Sequence, residues 1–215
     1  MPLDGKLIKR LNKSLGVVDD HGTAGPRLLD DSRRLWDRVR RFIAMKLVDA
    51  EGLDLEALEL ACYALQLPQR RPKALTGKPG RSTLRERAEE AAELLISIAG
   101  GEASEDLLDR TARVLHEMPH RSPMLDEAKI MADALNLDDF GVTGLIHMAI
   151  LTGRQGGGVA QVADGCEKRE QYGYWDARLK DGFHFEPVRQ IARRRLEHAR
   201  HLADLLSAEL REDKP

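Results

Sequence analysis

The chain has 215 residues, 42% hydrophobic and only 4% aromatic, and its 34 basic residues nearly balance its 36 acidic ones. This length suits one domain, or one domain with a short appendage, and the balanced charge creates no field that favours nucleic acid or an anionic membrane. No apolar run approaches the roughly 20 residues that span a bilayer, and the charged N-terminus is unlike a signal peptide. Cys62 and Cys166 form no disulfide or metal-binding pattern, so we expect a cytoplasmic protein.

Apolar residues recur at helical spacing through most of the chain, and no segment alternates as a strand does. The first predicted helix follows the start signal Asp30-Asp31-Ser32. Segments 68–82 and 152–171, which are rich in glycine, are predicted to be loops. The pattern therefore indicates an irregular all-α domain over 27–211, preceded by an N-terminal extension over 1–26. The predicted helices cover 35–47, 55–67, 84–98, 107–118, 126–150 (the Asp133 helix and its continuation past the glycine turn) and 188–210.

The most distinctive segment runs from Glu127 to Gly144 and reads EAKIMADALNLDDFGVTG. It predicts an apolar helix with one inward-facing carboxylate, Asp133, then an acidic turn and two glycines. The segment resembles the part of HD-domain metal-dependent phosphohydrolases that supplies their last metal-binding Asp, usually E-x-K-I-x-x-D-A-D-x-L-D-x-x-G-x-x-G. Leu135 replaces the second Asp of that pattern. The matching residues are Glu127, Lys129, Ile130, Asp133, Ala134, Leu137, Asp138, Gly141 and Gly144.

The resemblance covers about residues 30 to 210 and implies an irregular multi-helix HD-like fold, but the earlier metal-ligand positions are replaced. Leu35 stands where the family places its first ligand His, and Leu65 and Gln66 stand at the His-Asp pair. Leucine cannot donate electrons to a metal, and a neutral amide oxygen is a poor substitute for a carboxylate. The resemblance therefore implies a degenerate member in which phosphohydrolase chemistry is lost. Its vestigial cleft would be lined by Leu35, Leu65, Gln66, His116 and Asp133.

Two hypotheses remain open for Asp133. In one, a rebuilt metal site uses His116 and Asp133, with His120 or His147 as a further ligand. Such a site would hold Mn, Fe, Ni, Zn or Mg and hydrolyse nucleotides or other phosphorylated compounds. In the other, which expects no cofactor, Asp133 is a structural hydrogen-bonding residue, because a buried carboxylate needs a partner. His116 would then bond Asp133 or a backbone carbonyl.

A basic segment follows the position of the missing His-Asp pair, with no acidic residue between Leu67 and Leu84. Cations beside a cleft predict phosphate or nucleotide binding, although a solvated loop is the plainer alternative. We therefore expect a nucleotide or phosphorylated small molecule as ligand, or a protein partner or second copy, rather than a membrane or nucleic acid. A ligand-binding, regulatory or protein-interaction domain is favoured over an enzyme. The candidate phosphate-binding residues are Arg70, Arg71, Lys73, Lys78 and Arg81.

Overall fold

The computed structural model describes residues 5–16, 27–70, 83–99 and 101–212, without the side chains of Arg27, Arg70 and Arg154. Over these ranges the chain is all-α and contains no strand. It divides into two compact units, an N-terminal unit of residues 1–132 and a C-terminal unit of residues 133–215. The helices are α1 (Gly5–Leu15), α2 (Arg27–Ala44), α3 (Leu55–Ala64), α4 (Leu84–Ala99), α5 (Glu105–Glu117), α6 (Asp126–Asn136), α7 (Val142–Arg154), α8 (Val159–Gln171), α9 (Tyr174–Asp181) and α10 (Glu186–Glu212).

Helix α3 forms the centre of the N-terminal unit. Asp54 starts it, since its side chain accepts the backbone N–H of Ala57 at 3.0 Å. Every residue from Ala57 to Ala64 except Glu59 is buried, as expected for a helix that is apolar on nearly all sides. Because α3 packs against α2, α4 and α5, the central buried helix predicted from the sequence is confirmed.

Helix α1 lies within the segment that the sequence assigned to an N-terminal extension. Its leucines Leu7, Leu11 and Leu15 recur every four residues and are almost fully buried. They form the face that packs against α4 and against the short 3-10 helix Leu67–Arg70. The apolar face of α1 is therefore part of the core of the N-terminal unit.

The C-terminal unit is built from α7 to α10 around three aromatic rings. The ring of Phe140 lies 5.2 Å, centroid to centroid, from both Trp175 and Phe183, in tilted and edge-on arrangements. Helix α10 packs against α7, α8 and α9. Its buried residues repeat at helical spacing, which confirms the long closing helix. Among the described helices, none is long and apolar enough to cross a membrane.

Two predictions of local structure are wrong. Segment 152–171 is not a loop, because α8 occupies Val159–Gln171. This helix buries only Val162 and so lacks the apolar stripe that reveals a helix in sequence. Helix α2 begins at Arg27, before the expected start signal. Within it, the hydroxyl of Ser32 donates to the carbonyl oxygen of Leu28 at 2.9 Å instead of capping the helix.

Candidate functional site

Asp133 is completely buried on α6, and both of its carboxylate oxygens are engaged by the backbone. Oδ1 accepts the N–H of His184 at 2.8 Å, and Oδ2 accepts the N–H of Phe185 at 3.0 Å. These residues immediately precede α10, which begins at Glu186. The donors are thus the N–H groups of the two residues before the helix, where the positive end of the helix dipole favours a negative charge. Asp133 therefore fixes the chain at the entry to α10 from a distant point in the sequence.

The burial of Asp133 also changes its acidity. Removal from water raises the pKa of its carboxyl to about 7, against the opposing effects of the two N–H donors and the positive charge of Arg189. Arg189 is itself fixed beside this turn, since Nη2 donates to the carbonyl oxygen of Phe183 at 2.6 Å. The carboxyl group of Asp133 therefore titrates near neutral pH, at the site where it accepts the N–H groups of His184 and Phe185.

The two glycines of the motif are required by the turn between α6 and α7. Gly141 has φ of 83°, and a Cβ there would lie 3.0 Å from the Cβ of Arg195. A Cβ on Gly144 would lie only 2.1 Å from the carbonyl oxygen of Asp139. No side chain fits at Gly144 unless the backbone moves. Their presence is thus explained by the packing of the turn, without a ligand.

Glu127, which opens the motif, makes a structural contact inside the N-terminal unit. Its Oε1 accepts hydrogen bonds from Nη2 of Arg110 at 2.7 Å and from the backbone N–H of Asp54 at 2.9 Å. Burial opposes its ionisation, but these hydrogen bonds outweigh burial and lower the pKa of Glu127. Glu127 therefore links the start of α6 to α5 and to the N-cap of α3.

The residues at the family's earlier ligand positions do not fit a divalent metal. Leu35 on α2 is 1% exposed, and Leu65, immediately after α3, is fully buried. Both belong to the apolar core of the N-terminal unit and offer no donor atom. Gln66 is also buried, and its Oε1 accepts a hydrogen bond from Nε2 of Gln69. The side chains at these three positions stabilise local packing.

The histidines proposed for a rebuilt metal site occupy different environments. His116 is exposed in the last turn of α5, and His120 is exposed beyond the end of that helix. His147 is half-buried on α7 in the C-terminal unit, the unit to which Asp133 belongs. In the described part of the chain, no group of three or more His, Cys, Asp or Glu residues is arranged to hold a metal. The rebuilt site stays a prediction.

The predicted phosphate-binding segment falls outside the described residues. This applies to Arg71, Lys73, Lys78 and Arg81, and to the side chain of Arg70, whose backbone ends the 3-10 helix Leu67–Arg70. Phosphate binding by these residues therefore also stays a prediction.

The C-terminal unit contains a cavity of about 310 Å³ that the sequence did not predict. It lies among α7, α8, α9 and α10 and is lined by Met148, Arg169, Trp175 and Ala203, among others. Because a loop was predicted over 152–171, the sequence did not place Arg169 on a helix beside this cavity. A signal was present, since a cation lies a few residues before a pair of aromatic residues.

The chain is similar to crystal structures of YpgQ from Bacillus subtilis. The YpgQ structure in complex with ADP gives a TM-score of 0.59 at 19% identity, over 98% of this chain and 95% of that one. A second YpgQ structure gives 0.58 at 20% identity over 95% and 97%, and its selenomethionine form gives 0.56 at 20% over 97% and 96%. No family model and no curated protein matches the chain. This likeness concerns the fold alone, and the predicted all-α, HD-like fold is confirmed.

Proposed function

We propose that this chain is an HD-like protein that has lost metal-dependent phosphohydrolase chemistry and acts as a ligand-binding or regulatory domain. The observation that carries this proposal is the burial of Leu35 and Leu65, at 1% and 0% exposure, where the resemblance places ligand histidines. A hydrolytic metal must bind water, lower its pKa and neutralise phosphoryl oxygens. Two buried leucines contribute to none of these steps.

The retained Asp133 is compatible with this loss because it has another role. Its two oxygens accept backbone N–H groups of His184 and Phe185, which gives the buried carboxylate the partners it needs. An HD-like chain would keep this Asp for the start of α10 after the metal had been lost. The motif alone is therefore weak support for hydrolysis.

We infer that the ligand is a nucleotide or another phosphorylated compound. The support is that YpgQ, which has a similar fold, was crystallised with ADP. The basic residues between Leu67 and Leu84 supply cations of the kind that bind phosphate. Loss of hydrolysis would leave a domain that binds such a compound without turning it over.

The proposal is tested by measuring metal content, turnover and ligand binding on the same preparation. The protein is purified without chelator, and Mn, Fe, Ni and Zn are quantified. It is then incubated with ADP and with p-nitrophenyl phosphate in the presence of Mn²⁺ or Mg²⁺. Thermal unfolding is followed with and without ADP, because a ligand at 100 times its Kd adds about 2.7 kcal/mol to the free energy of unfolding. We expect stabilisation by ADP without release of phosphate.

Two variants separate the competing outcomes. His116→Ala removes a ligand of the rebuilt metal site, and His201→Ala is the control, since His201 is also an exposed helical histidine but belongs to no proposed metal site. About one metal per chain, with turnover that His116→Ala abolishes and His201→Ala retains, would replace our proposal by a metal-dependent phosphohydrolase. Absence of both turnover and stabilisation by ADP would support the loss of hydrolysis but contradict the proposal that the ligand is a nucleotide.

A further inference from the structure

The cavity in the C-terminal unit is an elongated groove along α10. Among the residues that α10 contributes, Leu196, Ala199, Ala203, Ser207 and Arg211 recur every three or four positions, so the lining lies on one face of the helix. They extend from Leu196 to Arg211, a stretch of helix about 22 Å long at 1.5 Å per residue. A groove of this form suits an extended ligand better than a compact one.

The groove has an apolar floor. Leu145 and Met148 of α7, Trp175 of α9, and Leu196 and Ala203 of α10 line it. Cys166 of α8 also lines the groove. Burial raises the pKa of its thiol, so the thiol is neutral rather than a nucleophilic thiolate. Such walls favour the burial of an apolar body.

Arg169 is a half-buried cation in the groove that has no carboxylate partner among the described residues. The guanidinium of half-buried Arg169 lies 5.2 Å from the ring centroid of Tyr174 and 5.3 Å from that of Trp175. Within the described part of the chain, Arg169 makes no ion pair. The ring faces hold the guanidinium through cation–π contacts, which do not consume its N–H donors. Arg169 is therefore positioned to receive an anion.

The other charged residues of the groove are less suited to this role. Arg200 is committed to Glu170, because its Nε and Nη2 donate to the two carboxylate oxygens at 2.8 Å each. Glu167 and Asp204 are exposed on the surface, and exposed Arg211 lies at the far end of the α10 face. A head group near Arg169 therefore meets a fixed cation, and an apolar body can extend towards Ala203.

We propose that this groove binds an amphipathic anion, with its carboxylate or phosphate head group on Arg169 and its extended apolar body along α10. This proposal is independent of the loss of hydrolysis and of the binding of ADP. Three probes with the same eight-carbon chain test the head group and the apolar body separately: octanoate, octyl phosphate and uncharged 1-octanol. A preference for octanoate or for octyl phosphate identifies the natural head group as carboxylate or phosphate.

The full-length chain supplies its own reporter. It contains two tryptophans, Trp36 on α2 and Trp175 in the groove, so Trp36→Phe leaves emission from Trp175 alone. We expect octanoate or octyl phosphate to change this emission saturably and to bind more tightly than 1-octanol. Arg169→Gln in the same background should weaken binding of the anion by about tenfold or more, because it removes a charge-assisted hydrogen bond.

Lys168→Gln is the matched control for Arg169→Gln. Lys168 is the neighbouring cation, is exposed, and pairs with Asp164 at 2.7 Å outside the groove. It should leave affinity unchanged. Ala203→Phe should block the groove to all three probes, and the Arg169 and Lys168 pair decides the matter if that variant fails to fold. The absence of a saturable response to either anion, equal affinity for 1-octanol, or unchanged affinity in Arg169→Gln would each overturn the proposal.

Discussion

Asp133 and His184 lie 51 residues apart in the chain, yet the backbone N–H of His184 donates to Oδ1 of Asp133 at 2.8 Å. Together with the bond from Phe185, this contact fixes the turn from which α10 begins. A carboxylate that reaches this turn from α6 accepts the N–H groups of the two residues before the helix, much as the N3 carboxylate of a capping box accepts the N–H of the N-cap residue. The buried Asp of the motif therefore has a structural role whether or not it binds a metal.

Replacement of Asp133 by Asn should change how stability depends on pH. Between the ordinary carboxyl pKa of 3.8 and the raised value of about 7, only the folded chain keeps the proton. The contribution of Asp133 to the free energy of unfolding therefore decreases as pH rises through this range, by at most about 1.4 kcal/mol per pH unit. The stability advantage of the wild type over Asp133→Asn should be largest at the acidic end and smallest above about pH 7.

Urea denaturation of both proteins at several pH values across this range measures the effect. Asp139→Asn is the control, because Asp139 is an exposed carboxylate in the turn after α6 and pairs with Arg178 at 2.9 Å. If the advantage of the wild type instead grew with pH, the N–H donors and the positive end of α10 would outweigh burial, and the direction given for the pKa of Asp133 would be wrong.

The sequence predicted most helices but could not show how the motif residues are used. Apolar periodicity located the buried helix α3 and the closing helix α10, because the spacing of apolar residues shows which sides of a helix are buried. It missed α8, which is polar on most sides, and also α1 and α9. The partners of Asp133 are the backbone N–H groups of His184 and Phe185. Nearly every residue type carries such a group, so the sequence does not show which residues donate to Asp133. The groove near Arg169 depends on four helices meeting, which spacing within one helix cannot show.

Replacement of Gly144 by Ala should destabilise the protein by about 1–3 kcal/mol, the usual range for an overpacked site. The reason is that the new Cβ would lie 2.1 Å from the carbonyl oxygen of Asp139, so the turn between α6 and α7 must shift. Gly153→Ala is the matched control, because Gly153 lies near the end of α7 with open space around it. Alanine there should stabilise by up to about 1 kcal/mol through helix propensity. Thermal unfolding of the two variants gives the comparison, and equal stabilities would contradict the packing argument.

Introduction of histidine at the positions where HD-domain enzymes place metal ligands should damage the core rather than create a metal site. Leu35→His and Leu65→His each place an imidazole where the structure buries a leucine, so we expect a loss of about 2–4 kcal/mol per site. Leu55→His is the control on α3, since Leu55 is 41% exposed and should change stability by less than about 0.5 kcal/mol. Unfolding is measured with and without Mn²⁺. Recovery of stability by Mn²⁺ in the core variants would reveal a latent metal site and contradict this prediction.

Glu127 should show the opposite pH dependence to Asp133. Its pKa is lowered below the ordinary value of 4.5 because the bonds from Arg110 and from the N–H of Asp54 outweigh burial. The stability that Glu127 contributes is therefore complete above about pH 4.5 and is lost as pH falls through the lowered pKa.

Glu127→Gln should cost about 1–3 kcal/mol near neutral pH, the usual loss when a buried charged hydrogen bond is broken. The cost should shrink on acidification, as measured by urea denaturation from neutral pH to about pH 3. Glu89→Gln is the control: it breaks the exposed pair with Arg85 and should cost less than about 1 kcal/mol at every pH. A cost for Glu127→Gln that stayed constant to the lowest pH would mean that the carboxylate charge contributes nothing to the contact with Arg110.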